Sequence, residues 1–161
     1  MISRSQARSA LLPHGALPAR LIVCEPTARW AAALSRDVGE FRHAVFQARS
    51  LADAMAALAE SPASFFVAEL SEKYADPLAR LLVEVQRRFP LARTGVVAER
   101  ALARYEGWML EAGAVCFVAG VRALGPLTHA ACRHLAEVPG PPQSLAERVW
   151  ASLPWPREAN R

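Results

Sequence analysis

Residues 64–70 constrain the fold of this chain more than any other stretch. They read Ser-Phe-Phe-Val-Ala-Glu-Leu, an apolar run that carries one carboxylate, Glu69, near its end. A run that is apolar on both alternating faces is typical of a strand in a parallel sheet with helices on both sides. Ligands of such open sheets bind at the carboxyl ends of the strands. We therefore expect Glu69 to lie at the edge of the sheet where any chemistry would occur.

Apolar segments that suit strands alternate with helical repeats along the body of the chain. The predicted strands cover residues 21–24, 43–47, 64–70, 94–98 and 115–119. Glu25 or Thr27 can cap the helix after the first strand, and Ser50 can cap the helix after the second. Five strands alternating with five helices predict an α/β, flavodoxin-like, doubly wound parallel sheet. We predict the strand order 2-1-3-4-5, because strand two alternates in polarity and suits an edge.

The sequence divides into one domain and two terminal segments. Residues 1–19 show no sustained periodicity and are predicted to form a flexible arm, residues 20–138 form the α/β domain, and residues 139–161 form a tail. The tail begins with a proline-rich linker and continues as a short amphipathic helix. This helix either folds back on its own domain or docks on a partner. The candidate docking residues are Leu145, Val149, Trp150, Leu153 and Trp155.

Charge and composition limit the classes of molecule that we expect this chain to bind. The net charge is +4, but the arginines are scattered and are not interleaved with aromatic residues, so we expect no nucleic-acid partner. No apolar run reaches the ~20 residues of a membrane span, and residues 1–20 lack the apolar core of a signal peptide. We therefore expect a cytoplasmic protein without a membrane partner. The three cysteines lack C-x-x-C spacing, so we expect neither a disulfide framework nor a zinc site.

Three segments of the chain resemble the receiver domain of bacterial response regulators. They are the ends of strands one and three and the segment that leads into strand five, residues 21–26, 66–70 and 112–118. Receivers hold magnesium with an acidic pair after strand one and phosphorylate an aspartate after strand three. They sense the phosphoryl group with a hydroxyl residue after strand four and a lysine after strand five. The resemblance implies a receiver-like fold for residues 20–138.

The same resemblance implies that the phosphorylation chemistry is missing. The acidic pair falls on Val23 and Cys24, with Glu25 one place beyond, and the phosphoacceptor position falls on Glu69. The hydroxyl and lysine positions fall on Ala98 and Gly120. Hydrophobic and thiol side chains are poor ligands for magnesium, and neither alanine nor glycine can contact a phosphoryl oxygen through a polar side chain. The degenerate pocket therefore comprises Cys24, Glu25, Glu69, Ala98 and Gly120.

Three functional hypotheses follow from these residues. The first is a non-catalytic, phosphorylation-independent module that binds a protein partner or itself in bacterial signalling, with no cofactor and no bound metal. The second is a small enzyme or ligand-binding protein in which Glu25, Glu69 and Glu99 converge on a cation or a water molecule. The third is a basic protein associated with nucleic acid. We expect Glu69 in the first case to be a solvated carboxylate without a paired cation, or else a mimic of a phosphorylated aspartate.

Overall fold

The structure, a computed structural model, describes residues 16–138 and shows one parallel sheet. The five strands stand in the order β2-β1-β3-β4-β5, which confirms the predicted topology. They are β1 (Leu21–Cys24), β2 (Val45–Ala48), β3 (Phe65–Leu70), β4 (Arg93–Ala98) and β5 (Cys116–Ala119). Every neighbouring pair is parallel. The carboxyl ends of all the strands therefore lie along one edge of the sheet.

Within residues 16–138, five α-helices connect and follow the strands, as the sequence predicts. They are α1 (Arg29–Asp37), α2 (Leu51–Glu60), α3 (Ala75–Arg88), α4 (Glu106–Glu111) and α5 (Gly125–Glu137). Short 3-10 turns cover Gly39–Ala44, Glu72–Tyr74, Arg100–Tyr105 and Val121–Ala123. As predicted, the Ser50 hydroxyl caps α2, because it accepts the backbone N–H of Asp53 at 3.1 Å.

Two predicted boundaries were wrong. The single helix expected over residues 101–112 begins as a 3-10 turn and becomes α-helical only at Glu106. Such turns are common at helix starts, and Gly107 lowers the helix propensity of this short segment. The second strand begins at Val45, because His43 and Ala44 belong to the preceding 3-10 turn.

The sheet separates two apolar layers. One layer packs the sheet against α2, α3 and α4 and includes Ile22, Cys24, Phe66 and Leu78. The other packs the sheet against α1 and α5 and is centred on Trp30. Alternate residues of β3 enter opposite layers, since Phe66, Ala68 and Leu70 face the first while Phe65 and Val67 face the second. This arrangement explains why the segment is apolar on both faces.

None of the helices within residues 16–138 is long and apolar enough to cross a membrane. Residues 1–15 and 139–161 lie outside the described part of the chain, and so do the candidate docking residues of the tail. Residues 16–19 lead into β1, and the backbone N–H of Leu17 donates to the carbonyl of Glu60 at 2.8 Å.

Candidate functional site

The fold brings the five predicted pocket residues to one edge of the sheet. Cys24 ends β1, Glu25 follows it, and Glu69 is the second-last residue of β3. Ala98 ends β4 and pairs in register with Ala119 of β5, so that Gly120 comes directly after it. The backbone N–H of Gly120 donates to the carbonyl of Ala98 at 2.8 Å. These residues therefore lie along one edge of the sheet, and the structure also gives their contacts.

Glu25 is a buried carboxylate that caps helix α1. Its side chain accepts the backbone N–H of Trp30 at 2.8 Å and also that of Ala31. The residue is 1% exposed, and Ala28, which precedes the helix, adopts a left-handed backbone with φ of 59°. The first N–H groups of a helix have no partner within the helix, so a carboxylate placed here satisfies two of them. Of the two predicted caps, Glu25 and Thr27, the structure uses Glu25.

Glu69 is not the solvated, unpaired carboxylate that the sequence suggested, and that expectation was wrong. Its Oε1 accepts the indole N–H of Trp30 at 2.9 Å and the Nη2 of Arg29 at 3.0 Å. The Glu69 side chain is 19% exposed. Both donors come from the first turn of α1, which packs on the side of the sheet to which this residue of β3 points. A carboxylate held by a cation and an indole is therefore part of the folded structure.

Arg29 connects two of the three carboxylates at this edge. One terminal nitrogen donates to Glu69 and the other to Glu99, and the guanidinium lies 4.7 Å from the ring centroid of Trp30. The hydrogen bond to Glu99 raises the pKa of Arg29, and the nearby charges of Glu99, Glu69 and Glu25 act in the same direction. Glu69 and Glu99 thus converge on a cation that belongs to the chain. Within residues 16–138, no group of side chains has the composition and spacing to hold a metal ion.

The remaining receiver-like positions, Val23, Cys24, Ala98 and Gly120, carry neither a hydroxyl nor a cationic side chain. Val23 and Ala98 are fully buried, and burial together with the charges of Asp53, Glu25 and Glu69 raises the pKa of the Cys24 thiol to about 11. A thiol with such a pKa is protonated at neutral pH and is therefore a poor nucleophile. Gly120 has a φ of 99°, and the Arg100 side chain lies against it, 3.2 Å from where a Cβ would stand.

Sequence reasoning missed Arg29 and Trp30 as site residues. In the sequence, Trp30 is one apolar residue of a predicted helix and Arg29 is one of the scattered arginines, so neither is singled out. A signal was nevertheless present, because the two residues open the helix that follows the first strand. Residues in that turn face the carboxyl edge of the sheet, where the acidic residues of the neighbouring strands end.

Comparison with solved structures identifies the fold. A response regulator of Thermotoga maritima matches with a TM-score of 0.58 and 14% identity, over 75% of this chain and all of that one. A CheY-like protein of Pseudomonas aeruginosa matches at 0.54 and 17%, over 76% of this chain and 98% of that one. A Burkholderia pseudomallei response regulator, solved with a phosphorylated aspartic acid and a calcium ion, matches at 0.56 and 19%, over 84% and 75%.

At these identities the likeness shows the fold alone. The chain has the flavodoxin-like fold of receiver domains, and the solved structures that it resembles include response regulators. No protein-family model and no curated protein sequence matches the chain. The function must therefore be argued from the residues at the carboxyl edge.

Proposed function

We propose that this chain is a non-catalytic, receiver-like module that binds a protein partner, or a second copy of itself, without phosphorylation. The observation that carries the proposal is the hydrogen bonding of Glu69. The carboxylate at the phosphoacceptor position already binds Arg29 and Trp30 of the same chain. The function of the module is then to present a constant surface in bacterial signalling or regulation, in the cytoplasm.

Glu69 takes the structural place that a phosphorylated aspartate would have. A permanent carboxylate at the end of β3 needs a donor or a cation nearby, and Arg29 and Trp30 supply both from α1. The negative charge is therefore balanced within the chain rather than through side chains at Ala98 and Gly120. In this arrangement the first turn of α1 is fixed to β3 in every molecule, and no signal is needed to produce the bound state.

The alternative of an enzyme that uses the strand-end carboxylates has less support. Both oxygens of Glu25 accept backbone N–H groups of α1, and Glu69 and Glu99 share Arg29. A general base or a metal ligand needs lone pairs that can reach a substrate or a cation. The three carboxylates that this alternative requires already bind partners in the chain.

Phosphodonor treatment tests the phosphorylation-independent part of the proposal. We expect acetyl phosphate with magnesium to leave the mass of the protein unchanged, and beryllofluoride with magnesium to leave its melting temperature unchanged. The reason is the absence of an aspartate, an acidic pair, a hydroxyl and a lysine at the five pocket positions. An authentic receiver domain treated in parallel provides the positive control. Stoichiometric addition of phosphate to this chain would contradict the proposal.

The partner-binding part of the proposal is tested by removing the tail. We expect a chain that ends at Val138 to remain folded, because the helices on both sides of the sheet already belong to residues 16–138. We also expect it to lose most of its partner binding or self-association, since the candidate docking residues are removed: Leu145, Val149, Trp150, Leu153 and Trp155. Pulldown and sedimentation of both chains would measure this loss. Unchanged binding by the shorter chain would exclude the tail as the docking element.

A further inference from the structure

A second feature of the carboxyl edge is a pocket of about 400 Å³, and the carboxylates Glu25 and Glu69 belong to its lining. It opens between the loops that follow β2 and β3 and extends down to the end of β1. Its lining includes Cys24, Arg49, Leu51, Ser71, Tyr74 and Leu78. In a doubly wound sheet with the order 2-1-3-4-5, β1 and β3 border the point at which the chain changes winding direction. The pocket therefore lies in the crevice where open α/β sheets bind their ligands.

The lower part of the pocket is apolar. Leu78 is 2% exposed and Cys24 is 7% exposed, and Leu51 of α2 adds a further apolar side chain to the lining. The Cys24 thiol has no hydrogen-bond partner among the described residues. At the rim, Tyr74 is 53% exposed and offers an aromatic face. Pockets of this size with an apolar body and few polar groups are typical of small-molecule sites.

Arg49 gives this pocket its charge preference. Two carboxylates also line the pocket, but both already have partners in the chain, because Glu25 caps α1 and Glu69 pairs with Arg29. Arg49 is exposed on the pocket wall and forms no ion pair within residues 16–138. The Ser71 residue also lines the pocket, and its hydroxyl can donate a further hydrogen bond. An arginine beside a hydroxyl recognises a carboxylate or a phosphate.

We propose that this pocket binds a small organic anion, with an aromatic or aliphatic body against Cys24, Leu78 and Tyr74 and an anionic group on Arg49. The proposal rests on the cavity and does not depend on the function proposed above. The charges of Asp53, Glu25 and Glu69 oppose such binding. After burial, these three charges are, in that order, the causes of the raised pKa of Cys24. Removing the charge of Asp53 should therefore strengthen binding of an anion and weaken binding of a cation.

Three indole compounds of similar shape provide the probes: indole-3-acetate, its neutral amide indole-3-acetamide, and the cation tryptamine. Binding is followed by changes in backbone amide NMR signals of the full chain, which also report whether each variant is folded. We expect indole-3-acetate to shift the signals of Cys24, Ser71 and Leu78. The amide and the amine should bind at least about tenfold more weakly, since a hydrogen bond to a charged group is stronger than one between neutral groups.

Two arginine variants distinguish binding in the pocket from nonspecific attraction of an anion to a basic protein. Arg49→Gln should reduce the affinity for indole-3-acetate to that for the amide, while Arg36→Gln, an equal change of charge on the exposed end of α1, should leave it unchanged. Asp53→Asn should raise the affinity for the acid. The proposal is overturned if the acid does not bind at millimolar concentration, if acid and amide bind equally, or if the shifted signals lie away from the pocket. Equal effects of Arg49→Gln and Arg36→Gln would also overturn it.

Discussion

The indole nitrogen of Trp30 donates to the carboxylate of Glu69 at 2.9 Å, although the two residues are 39 positions apart in the sequence. Trp30 is fully buried between α1 and the sheet. The bond therefore joins the first turn of α1 to the end of β3, at the position that the receiver resemblance assigns to the phosphoacceptor. It makes the most buried aromatic residue of this layer part of the candidate site.

Replacing Trp30 by phenylalanine tests the strength of this bond. The ring would still fill much of the space, but the N–H donor to Glu69 would be lost. We expect a loss of about 2–3 kcal/mol in the free energy of unfolding, from the charged hydrogen bond and the smaller ring. Urea unfolding of the variant measures it. Trp108→Phe on α4 is the control, because Trp108 is partly exposed and should change stability by less than about 0.5 kcal/mol. Equal effects of the two substitutions would contradict this account.

Glu69→Gln tests the charge of the same group. The amide oxygen can still accept from Trp30 or Arg29, but the ion pair is lost. We expect a decrease of about 1–2 kcal/mol in the free energy of unfolding, because the carboxylate is mostly buried. Glu99→Gln removes the other partner of Arg29 at a far more exposed position and should cost less than about 0.5 kcal/mol. If Glu69→Gln were neutral in thermal or urea unfolding, the carboxylate would not be coupled to α1.

The contrast between these two glutamates explains what the sequence could and could not predict. The periodicity of hydrophobic residues and the apolar runs indicate where strands begin and end. The register of parallel strands then places residues 25, 69, 98 and 120 at one edge of the sheet. Whether a carboxylate there is solvated depends on which side chain of another element reaches it. Arg29 and Trp30 reach Glu69 because α1 packs on that side of the sheet, a relationship that local periodicity does not contain.

The helix caps also show that the sequence predicts local contacts better than contacts that depend on the conformation of the folded chain. The Ser50 cap lies within four residues of its partner Asp53, so that the sequence predicted it correctly. For α1 the sequence offered two candidates, Glu25 and Thr27. The choice required the left-handed backbone of Ala28, which turns the chain so that Glu25 faces the helix start. Alanine rarely adopts a left-handed backbone conformation, so the sequence alone does not predict one at Ala28.

Substitutions of the two candidate caps of α1, Glu25 and Thr27, form a matched pair. Glu25→Ala should destabilise the protein by about 2–3 kcal/mol, because two buried N–H groups of α1 lose their acceptor. Thr27→Ala should change the free energy of unfolding by less than about 0.5 kcal/mol, since Thr27 is exposed and forms no side-chain cap with α1. Chemical unfolding followed by circular dichroism compares the two. A larger effect at Thr27 would mean that the cap is wrongly assigned.

The raised pKa values of two thiols predict how the stability of the protein changes at alkaline pH. The pKa of Cys24 is raised from 9.0 to about 11, chiefly by burial, and that of Cys116 is raised to about 11 by burial. At a pH between 9.0 and about 11, a thiol in the unfolded chain has lost its proton, while the same thiol in the folded chain keeps it. The folded state therefore binds more protons, and stability falls as pH rises. The contribution is fully present below pH 9 and is lost progressively up to about pH 11.

Cys24→Ala isolates the contribution of the pocket thiol. At pH 7 the variant should be less stable than the wild type by about 1 kcal/mol, because a buried side chain has been shortened. Since alanine has no proton to lose, this difference should shrink or reverse as the pH rises from 9 towards 11. Urea unfolding at pH 7, 9 and 10.5 measures the difference, while Cys132→Ala, at a less buried thiol, provides the control. A difference that stays constant across this range would show that Cys24 ionises equally in the folded and unfolded chains.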